Sequence, residues 1–288
     1  MAQSIFREYD RAALDREYDN RKKVANALEV LAWYASESEA TRRKLDCRLD
    51  VAYGARPGER LDIFPGQGSR PAPIHIFVHG GYWHRLDKAD FSYVARAFQP
   101  SGAAVVVINY ALIPTVDMTE LVRQCRAAVV WVHANARTFG GDPGRIFISG
   151  HSAGGHLVGM LMATDWPVFA GLPANVIAGG CAISGLYDLE PIRLCYLNDI
   201  LALTPEDVRR YSPVLLAPVR SGPLLLAVGA LEGPEYHRQT DDQAAAWRRH
   251  GLACEVMDMA GHDHFSIAAQ LNDSTAPLSR AILRQMGA

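Results

Sequence analysis

Short runs of apolar residues alternate with longer mixed stretches from Leu45 to the end of the chain. Several of these runs are continuous rather than alternating, such as AAVVVI at 103–108 and LLLAV at 224–228. A strand that is apolar on both faces is typical of a parallel sheet covered by helices on both sides. We predict strands at 49–53, 61–64, 74–78, 103–109, 145–149, 176–183, 224–229 and 253–257.

In the segments between these strands, apolar residues recur at helical spacing. Asp117 and Glu120 resemble a capping box, and apolar residues then recur at helical spacing up to Val132. Other helices are predicted at 88–98, 153–164, 237–250 and 274–286. Strands alternating with helices indicate an α/β fold with a doubly wound, mostly parallel sheet of about eight strands. We expect one domain over residues 1–288.

Two segments lie outside this alternation. Residues 1–45 are rich in Arg, Glu, Ala and Leu and contain no Gly or Pro, which predicts a helical N-terminal extension. This extension is either packed against the domain or forms a cap beside a functional site. We predict that residues 186–218 form a small cap insertion above the carboxyl ends of the strands, where α/β folds bind their ligands.

Charge and composition exclude several classes of partner. The formal net charge is −2, so nothing favours binding to nucleic acid or to an anionic membrane. The charged N-terminus lacks the apolar core of a secretory signal, and no window approaches 18 uninterrupted apolar residues. The five cysteines are scattered and form no C-x-x-C pair. We expect a cytoplasmic protein that acts on a small molecule. The sequence leaves open whether the protein forms a homodimer.

A candidate nucleophile lies in the sequence Gly-His-Ser-Ala-Gly at 150–154, which matches G-x-S-x-G. The pattern alone is weak evidence, but a predicted strand leads into it and a predicted helix leads out. Such an elbow exposes the serine Oγ in a strained turn, and the flanking glycines let neighbouring backbone approach closely. Ser152 is therefore the expected nucleophile of an α/β-hydrolase fold.

A second motif, HGGYW at 79–83, directly follows the predicted strand at 74–78. Paired glycines allow a backbone path that aims amide N–H groups at a substrate oxygen. Together with the N–H of Ala153, those of Gly81 and Tyr82 are expected to form an oxyanion hole. The side chains of Tyr82 and Trp83 are expected to line the substrate pocket, with core packing as the alternative for Trp83.

The general base should follow the last strand, because the order along an α/β hydrolase is serine, acid, histidine. His262 and His264 both qualify by position. A metal-binding H-x-H pair is the weaker alternative, because no third ligand cluster is evident, and we expect no metal or organic cofactor. Glu232 is the preferred acid, since it lies closest to the end of the strand at 224–229, and other acidic residues follow at 235, 241 and 242.

These motifs together resemble the arylformamidase (kynurenine formamidase) branch of the α/β hydrolases, near the hormone-sensitive-lipase-like esterases. The resemblance spans about residues 50–270. It rests on ERLDIF (59–64), HGGYW (79–83), NYALIP (109–114), GHSAGGHL (150–157), SGLYDLEPI (184–192), SPV (212–214), GPEYHRQT (233–240) and DHF (263–265). The resemblance implies Ser152 as nucleophile, His264 as base and Glu232 as the acid, at a position where some relatives use aspartate.

The resemblance also implies a reaction. We expect a serine hydrolase that forms an acyl-enzyme with a small aryl formamide such as N-formylkynurenine. A carboxylesterase for short-chain or aryl esters is the alternative, because the two activities differ only in pocket shape. A non-catalytic binding protein on a hydrolase scaffold is a third hypothesis, although such proteins usually lose a member of the triad.

Overall fold

An eight-stranded sheet crosses the protein, whose computed structural model describes residues 3–218 and 220–288. Each predicted strand overlaps one of the observed strands. The strands are β1 (Arg48–Ala52), β2 (Arg60–Phe64), β3 (Ala72–Val78), β4 (Ala104–Ile108), β5 (Gly141–His151), β6 (Ile177–Ile183), β7 (Leu224–Gly229) and β8 (Cys254–Met259). Their order in the sheet is β1-β2-β4-β3-β5-β6-β7-β8.

Helices cover both faces of this sheet. The α-helices are α1 (Arg11–Tyr18), α2 (Asn20–Lys23), α3 (Ala27–Lys44), α4 (Ala95–Phe98), α5 (Met118–Asn135), α6 (Ala153–Met162), α7 (Trp166–Ala170), α8 (Glu190–Leu194), α9 (Asn198–Leu201), α10 (Pro205–Tyr211), α11 (Pro234–Arg249), α12 (Ser266–Ala269) and α13 (Pro277–Met286). Short 3₁₀ helices span Lys88–Val94, Ala136–Phe139, Pro213–Leu215 and Gln270–Asn272. No helix of the described ranges is long and apolar enough to cross a membrane.

Strand β4 shows why the apolar runs are continuous. Ala104, Val106 and Ile108 belong to one buried hydrophobic cluster, which includes residues of α5 and α6. Val105 and Val107 point to the opposite face and belong to a second cluster with α4 and α13. Successive side chains of a strand point to opposite faces, so a strand buried on both sides has no polar face. The predicted doubly wound sheet is confirmed.

The strand pairing brings the two motif-bearing loops together. Pairs β1–β2 and β2–β4 are antiparallel, whereas all other neighbouring strands are parallel. In the β3–β5 pair Val78 lies opposite Gly150. The segments that follow these two residues therefore leave the same edge of the sheet side by side. Strands β7 and β8 end at this edge too, with Gly229 opposite Met259.

The N-terminal extension forms three helices rather than a continuous one. Asp10 caps α1 by accepting a hydrogen bond from the N–H of Ala13. Helix α3 packs against the 3₁₀ helix at Lys88–Val94, where the ring of Tyr34 lies 5.1 Å from that of Tyr93. The segment at 88–98, which was predicted as one helix, instead forms a 3₁₀ helix followed by the single turn α4.

The predicted insertion at 186–218 folds into α8, α9, α10 and the 3₁₀ helix Pro213–Leu215. It contacts the N-terminal extension, because the N–H of Tyr196 donates a hydrogen bond of 2.7 Å to Asp15 Oδ1. The extension and the insertion, which are distant in sequence, are thus joined in the structure.

A buried ion pair ties the start of the 3₁₀ helix at Lys88–Val94 to the sheet. Lys88 Nζ lies 2.8 Å from Asp62 Oδ1, and the side chains are only 6% and 1% exposed. A second carboxylate, of the more exposed Asp50, lies 2.7 Å from the same Nζ. Burial by itself would lower the pKa of Lys88, but the hydrogen bonds to Asp50 and Asp62 outweigh it and raise the pKa.

Replacing Lys88→Met should lower the free energy of unfolding by about 3–5 kcal/mol, because Asp62 would stay buried without its cation. Adding Asp62→Asn should recover part of this loss. The matched control is Arg43→Met, which breaks an exposed pair with Glu39 and should cost less than about 1 kcal/mol. Urea unfolding measures all three, and equal losses for Lys88→Met and Arg43→Met would contradict the expectation.

Candidate active site

Ser152 lies in a strained turn between β5 and α6. Its φ and ψ are 58° and −120°, and its N–H donates a hydrogen bond of 2.8 Å to Ile183 O. A left-handed backbone at a residue with a side chain costs about 1–3 kcal/mol and persists only where the surroundings enforce it. The surroundings here are tight, since a Cβ on Gly154 would lie 2.0 Å from Val78 O. The flanking glycine is required for this close approach.

Three side chains from three loops meet at this turn. His264 Nε2 lies 3.0 Å from Ser152 Oγ, and His264 Nδ1 lies 2.7 Å from Glu232 Oε2. Both His264 and Glu232 are buried. The alternative base, His262, has no hydrogen bond to Ser152 within the described residues. The structure thus brings together the serine, histidine and acid that the motifs indicated.

The carboxylate of Glu232 is held from its other side. Its Oε1 accepts hydrogen bonds from Ser184 Oγ and from the N–H of Gly229, the latter at 2.8 Å. Because one oxygen is occupied by these donors, the other is fixed toward His264 Nδ1. Sequence reasoning missed Ser184, although its place directly after β6 was a usable signal. The nearby Glu235 is occupied elsewhere, in an ion pair with Arg238.

His151 supports the histidine from behind. Its Nε2–H donates a hydrogen bond of 2.6 Å to the main-chain O of His264, and the two rings lie 4.7 Å apart. Burial and the proximity of His264 lower the pKa of His151 well below its ordinary value. A neutral His151 adds no positive charge next to His264. The sequence showed this residue only as the variable position of G-x-S-x-G.

The HGGYW loop adopts an unusual backbone. Gly81, Tyr82 and Trp83 have φ values of 112°, 50° and 61°. A Cβ on Gly81 would lie 2.1 Å from Arg85 O, so only glycine fits. Across the described residues, the N–H groups of Gly81 and Tyr82 have no hydrogen-bond acceptor, and Ala153 is the first residue of α6, where N–H groups lack helical partners.

A cluster of hydroxyl and amide groups fixes this loop from outside. We call Asn20, Tyr82 and Tyr236 the Tyr–Asn cluster. Tyr82 Oη donates a hydrogen bond of 2.7 Å to Tyr18 O and lies 2.8 Å from Tyr236 Oη, which accepts a bond of 2.7 Å from Asn20 Nδ2. The ring of Tyr236 lies 4.9 Å from that of His264. The cluster therefore joins the extension, the loop and the histidine, and no sequence motif had indicated it.

The predicted contribution of Trp83 to the substrate pocket is wrong. Its side chain is 0% exposed, and its Nε1–H donates a hydrogen bond of 3.0 Å to His156 Nδ1. His156 in turn donates from Nε2 to Tyr211 O. Burial lowers the pKa of His156 to about 4, which keeps its Nδ1 free to accept. The left-handed backbone turns Trp83 into the core, so it fills the alternative role of packing.

A cavity of about 330 Å³ opens in front of Ser152 and His264. Its apolar and aromatic walls come from the extension, the HGGYW region, the insertion and the His264 loop. These wall residues are Leu31, Tyr34, Tyr82, Leu86, Phe91, Tyr196, Leu197 and Phe265. The remaining side chains of the lining are polar or charged. They are Asp19, Asn20, Arg21, Lys22, His84, Arg85 and His151.

Known proteins resemble this chain in sequence and in structure. The family model BD-FAE matches residues 61–166, which include the HGGYW loop and the serine elbow. A solved structure from Silicibacter sp. TM1040, provisionally named a thioesterase, is 29% identical with a TM-score of 0.83, covering 93% of this chain and 98% of that one. An esterase from Pyrobaculum calidifontis has a TM-score of 0.74 at 18% identity, over 92% of this chain and 95% of that one, which shows the fold alone.

The sequence match to one curated relative is more specific. A kynurenine formamidase from Danio rerio is 34% identical over 258 residues, which cover 88% of this chain and 86% of that protein. The match therefore extends across nearly the whole α/β-hydrolase fold, including its N-terminal and C-terminal halves. This chain is a hydrolase that belongs to the kynurenine formamidase family.

Proposed function

We propose that this protein is a serine hydrolase that cleaves aryl formamides, with N-formylkynurenine as the expected substrate. The observation that carries the proposal is the contact of Ser152 Oγ with His264 Nε2 at 3.0 Å, at a cavity with aromatic walls. The kinship with a kynurenine formamidase supports the choice of substrate. The reaction converts an aryl formamide and water into formate and an arylamine.

His264 starts the reaction as a general base. Its Nε2 takes the proton of Ser152 Oγ while Oγ attacks the formyl carbon. Glu232 accepts the hydrogen bond from Nδ1–H, so it fixes the tautomer in which Nε2 is free to receive the proton. The same carboxylate stabilises the imidazolium that forms. Ser184 and Gly229 keep Glu232 in this orientation.

Three main-chain N–H groups stabilise the tetrahedral intermediate. Those of Gly81 and Tyr82 come from the HGGYW loop, and that of Ala153 comes from the first turn of α6. The oxyanion develops at the positive end of the helix dipole, and its donors are fixed before the reaction begins. Loss of one such donor costs about 10²–10³-fold in kcat in related chemistry.

The intermediate then collapses toward products. His264 delivers its proton to the aryl nitrogen, the C–N bond breaks, and the formyl group stays on Ser152 as an ester. Water takes the place of the amine, loses its proton to His264 and attacks the formyl ester. His264 then returns the proton to Ser152 Oγ as the ester bond breaks, which releases formate and restores the free enzyme. These steps use no metal or organic cofactor. A cavity of about 330 Å³ accommodates the aromatic leaving group, since ligand pockets start near this size.

The first prediction from this proposal concerns the substrate. The purified protein should hydrolyse N-formylkynurenine with a higher kcat/KM than p-nitrophenyl acetate, because the relationship to a kynurenine formamidase favours a site adapted to the formamide. Release of kynurenine and of p-nitrophenol, followed by absorbance, measures the two rates. Ester hydrolysis with negligible formamide hydrolysis would replace the proposal by a carboxylesterase.

The second prediction concerns the triad. A fluorophosphonate should label the wild type but not Ser152→Ala, and Glu232→Gln should lower kcat by about 10³–10⁴-fold because it loses the charge that orients and supports the histidine. Asp241→Asn, at an exposed position of α11, is the matched control and should keep full activity. Failure to label the wild type would favour a non-catalytic binding protein, and labelling of Ser152→Ala would refute the assignment of the nucleophile.

The third prediction concerns the Tyr–Asn cluster. Tyr82→Phe keeps the main-chain N–H but removes the hydroxyl that holds the loop, so kcat should fall about tenfold with KM within about twofold. Tyr211→Phe is the control, because its hydroxyl donates a hydrogen bond of 2.7 Å to Thr119 Oγ1 and the residue does not belong to the cavity lining. Steady-state kinetics with N-formylkynurenine tests both variants, and an unchanged kcat in Tyr82→Phe would show that the loop does not need the cluster.

A further inference from the structure

Positive charge collects at the cavity that contains Ser152. Its lining includes Asp19, Arg21, Lys22 and Arg85. Lys22 Nζ lies 2.8 Å from Asp19 Oδ2, so these two charges offset each other. Across the described residues, no carboxylate lies within 4.0 Å of the guanidinium of Arg21 or of Arg85. The cavity therefore carries two uncompensated guanidinium groups.

These two arginines come from separate parts of the fold. Arg21 belongs to α2 of the N-terminal extension, and Arg85 follows the HGGYW loop. Both are exposed, whereas Ser152 and His264 are each only 4% exposed. The arginines thus lie at the mouth of the cavity and the reacting groups at its floor, with the apolar walls between them.

His84 lies close enough to both guanidinium groups for their charges to affect its pKa. Its Nδ1–H donates a hydrogen bond of 3.0 Å to Tyr82 O, which fixes the ring at the cavity. Burial, with the positive charges of Arg85 and Arg21, lowers the pKa of His84. His84 stays neutral at pH 7 for this reason and adds no third charge. Among the described residues that line the cavity, an anion placed here would meet two unpaired cations, and the one carboxylate, that of Asp19, is paired with Lys22.

We propose that Arg21 and Arg85 bind a carboxylate on the leaving-group side of the substrate, and that the enzyme thereby selects aryl formamides that carry this carboxylate over those that lack it. This inference rests on the proposed function and deepens it. With the formyl group at Ser152 and the aromatic ring against the walls, a carboxylate on a side chain of the ring reaches the mouth. A guanidinium matches a carboxylate with two parallel N–H···O bonds and keeps its charge at every accessible pH.

The closing experiment compares a substrate that has this carboxylate with one that lacks it. One is N-formylkynurenine, and the other is 2-formamidoacetophenone, which keeps the ring and the formamide but lacks the amino-acid group. The quantity measured is the ratio of kcat/KM for N-formylkynurenine to kcat/KM for 2-formamidoacetophenone. The variants are Arg21→Gln, Arg85→Gln and the double variant, with Arg209→Gln on the exposed face of α10 as the control.

We expect each single variant to lower this ratio about tenfold and the double variant to lower it further, through KM rather than kcat. The control should keep the wild-type ratio. The rate of labelling by a neutral fluorophosphonate verifies that the triad of each variant is assembled. A double variant whose ratio stays within about twofold of the wild type overturns the inference, while the proposed function stands.

A second pair of substrates tests the carboxylate site independently of the proposed function. 4-Acetoxyphenylacetate and its methyl ester are aryl acetates with and without a carboxylate on the leaving group. If the wild type fails to hydrolyse N-formylkynurenine, the proposed function falls, and this ester pair then tests the carboxylate site alone. A preference for the acid that the double variant abolishes supports the site, and equal rates for the two esters overturn it.

Discussion

The contact of β3 with the turn after β5 is the constraint on which the site depends. Val78 pairs with Gly150, and the backbone at Gly154 approaches Val78 O so closely that a Cβ there would lie 2.0 Å away. This approach enforces the left-handed conformation of Ser152 and places the HGGYW loop beside it. The proposed nucleophile and two of the proposed oxyanion donors are therefore positioned by main-chain packing before any side chain contributes.

The main features of the fold could be predicted because local patterns determine them. Continuous apolar runs identified strands buried on both faces, and the order of motifs along the chain placed serine, acid and histidine at one edge of the sheet. The choice between His262 and His264 was beyond residue patterns alone, because both follow the last strand. The family motif favoured His264, and the structure places that residue, rather than His262, against Ser152.

Other features depend on contacts between distant residues, which local patterns do not determine. Trp83 was expected in the pocket, but successive left-handed residues turn its side chain into the core, where it meets His156. The helix expected at 88–98 gave way to a 3₁₀ helix that packs beneath α3. The Tyr–Asn cluster joins residues more than 200 positions apart, and Ser184 meets Glu232 across the ends of two strands.

The same long-range contacts have a consequence for the order of events during synthesis. Asn20 reaches Tyr236 and Tyr34 reaches Phe265, so the cavity wall formed by the first 45 residues gains these two partners only after residue 265 has been synthesised. Closing such large loops is slow compared with forming local contacts. A nascent chain that carries Ser152 but ends before residue 264 thus has neither the histidine that faces this serine nor a complete cavity, so the geometry of the site forms late in synthesis.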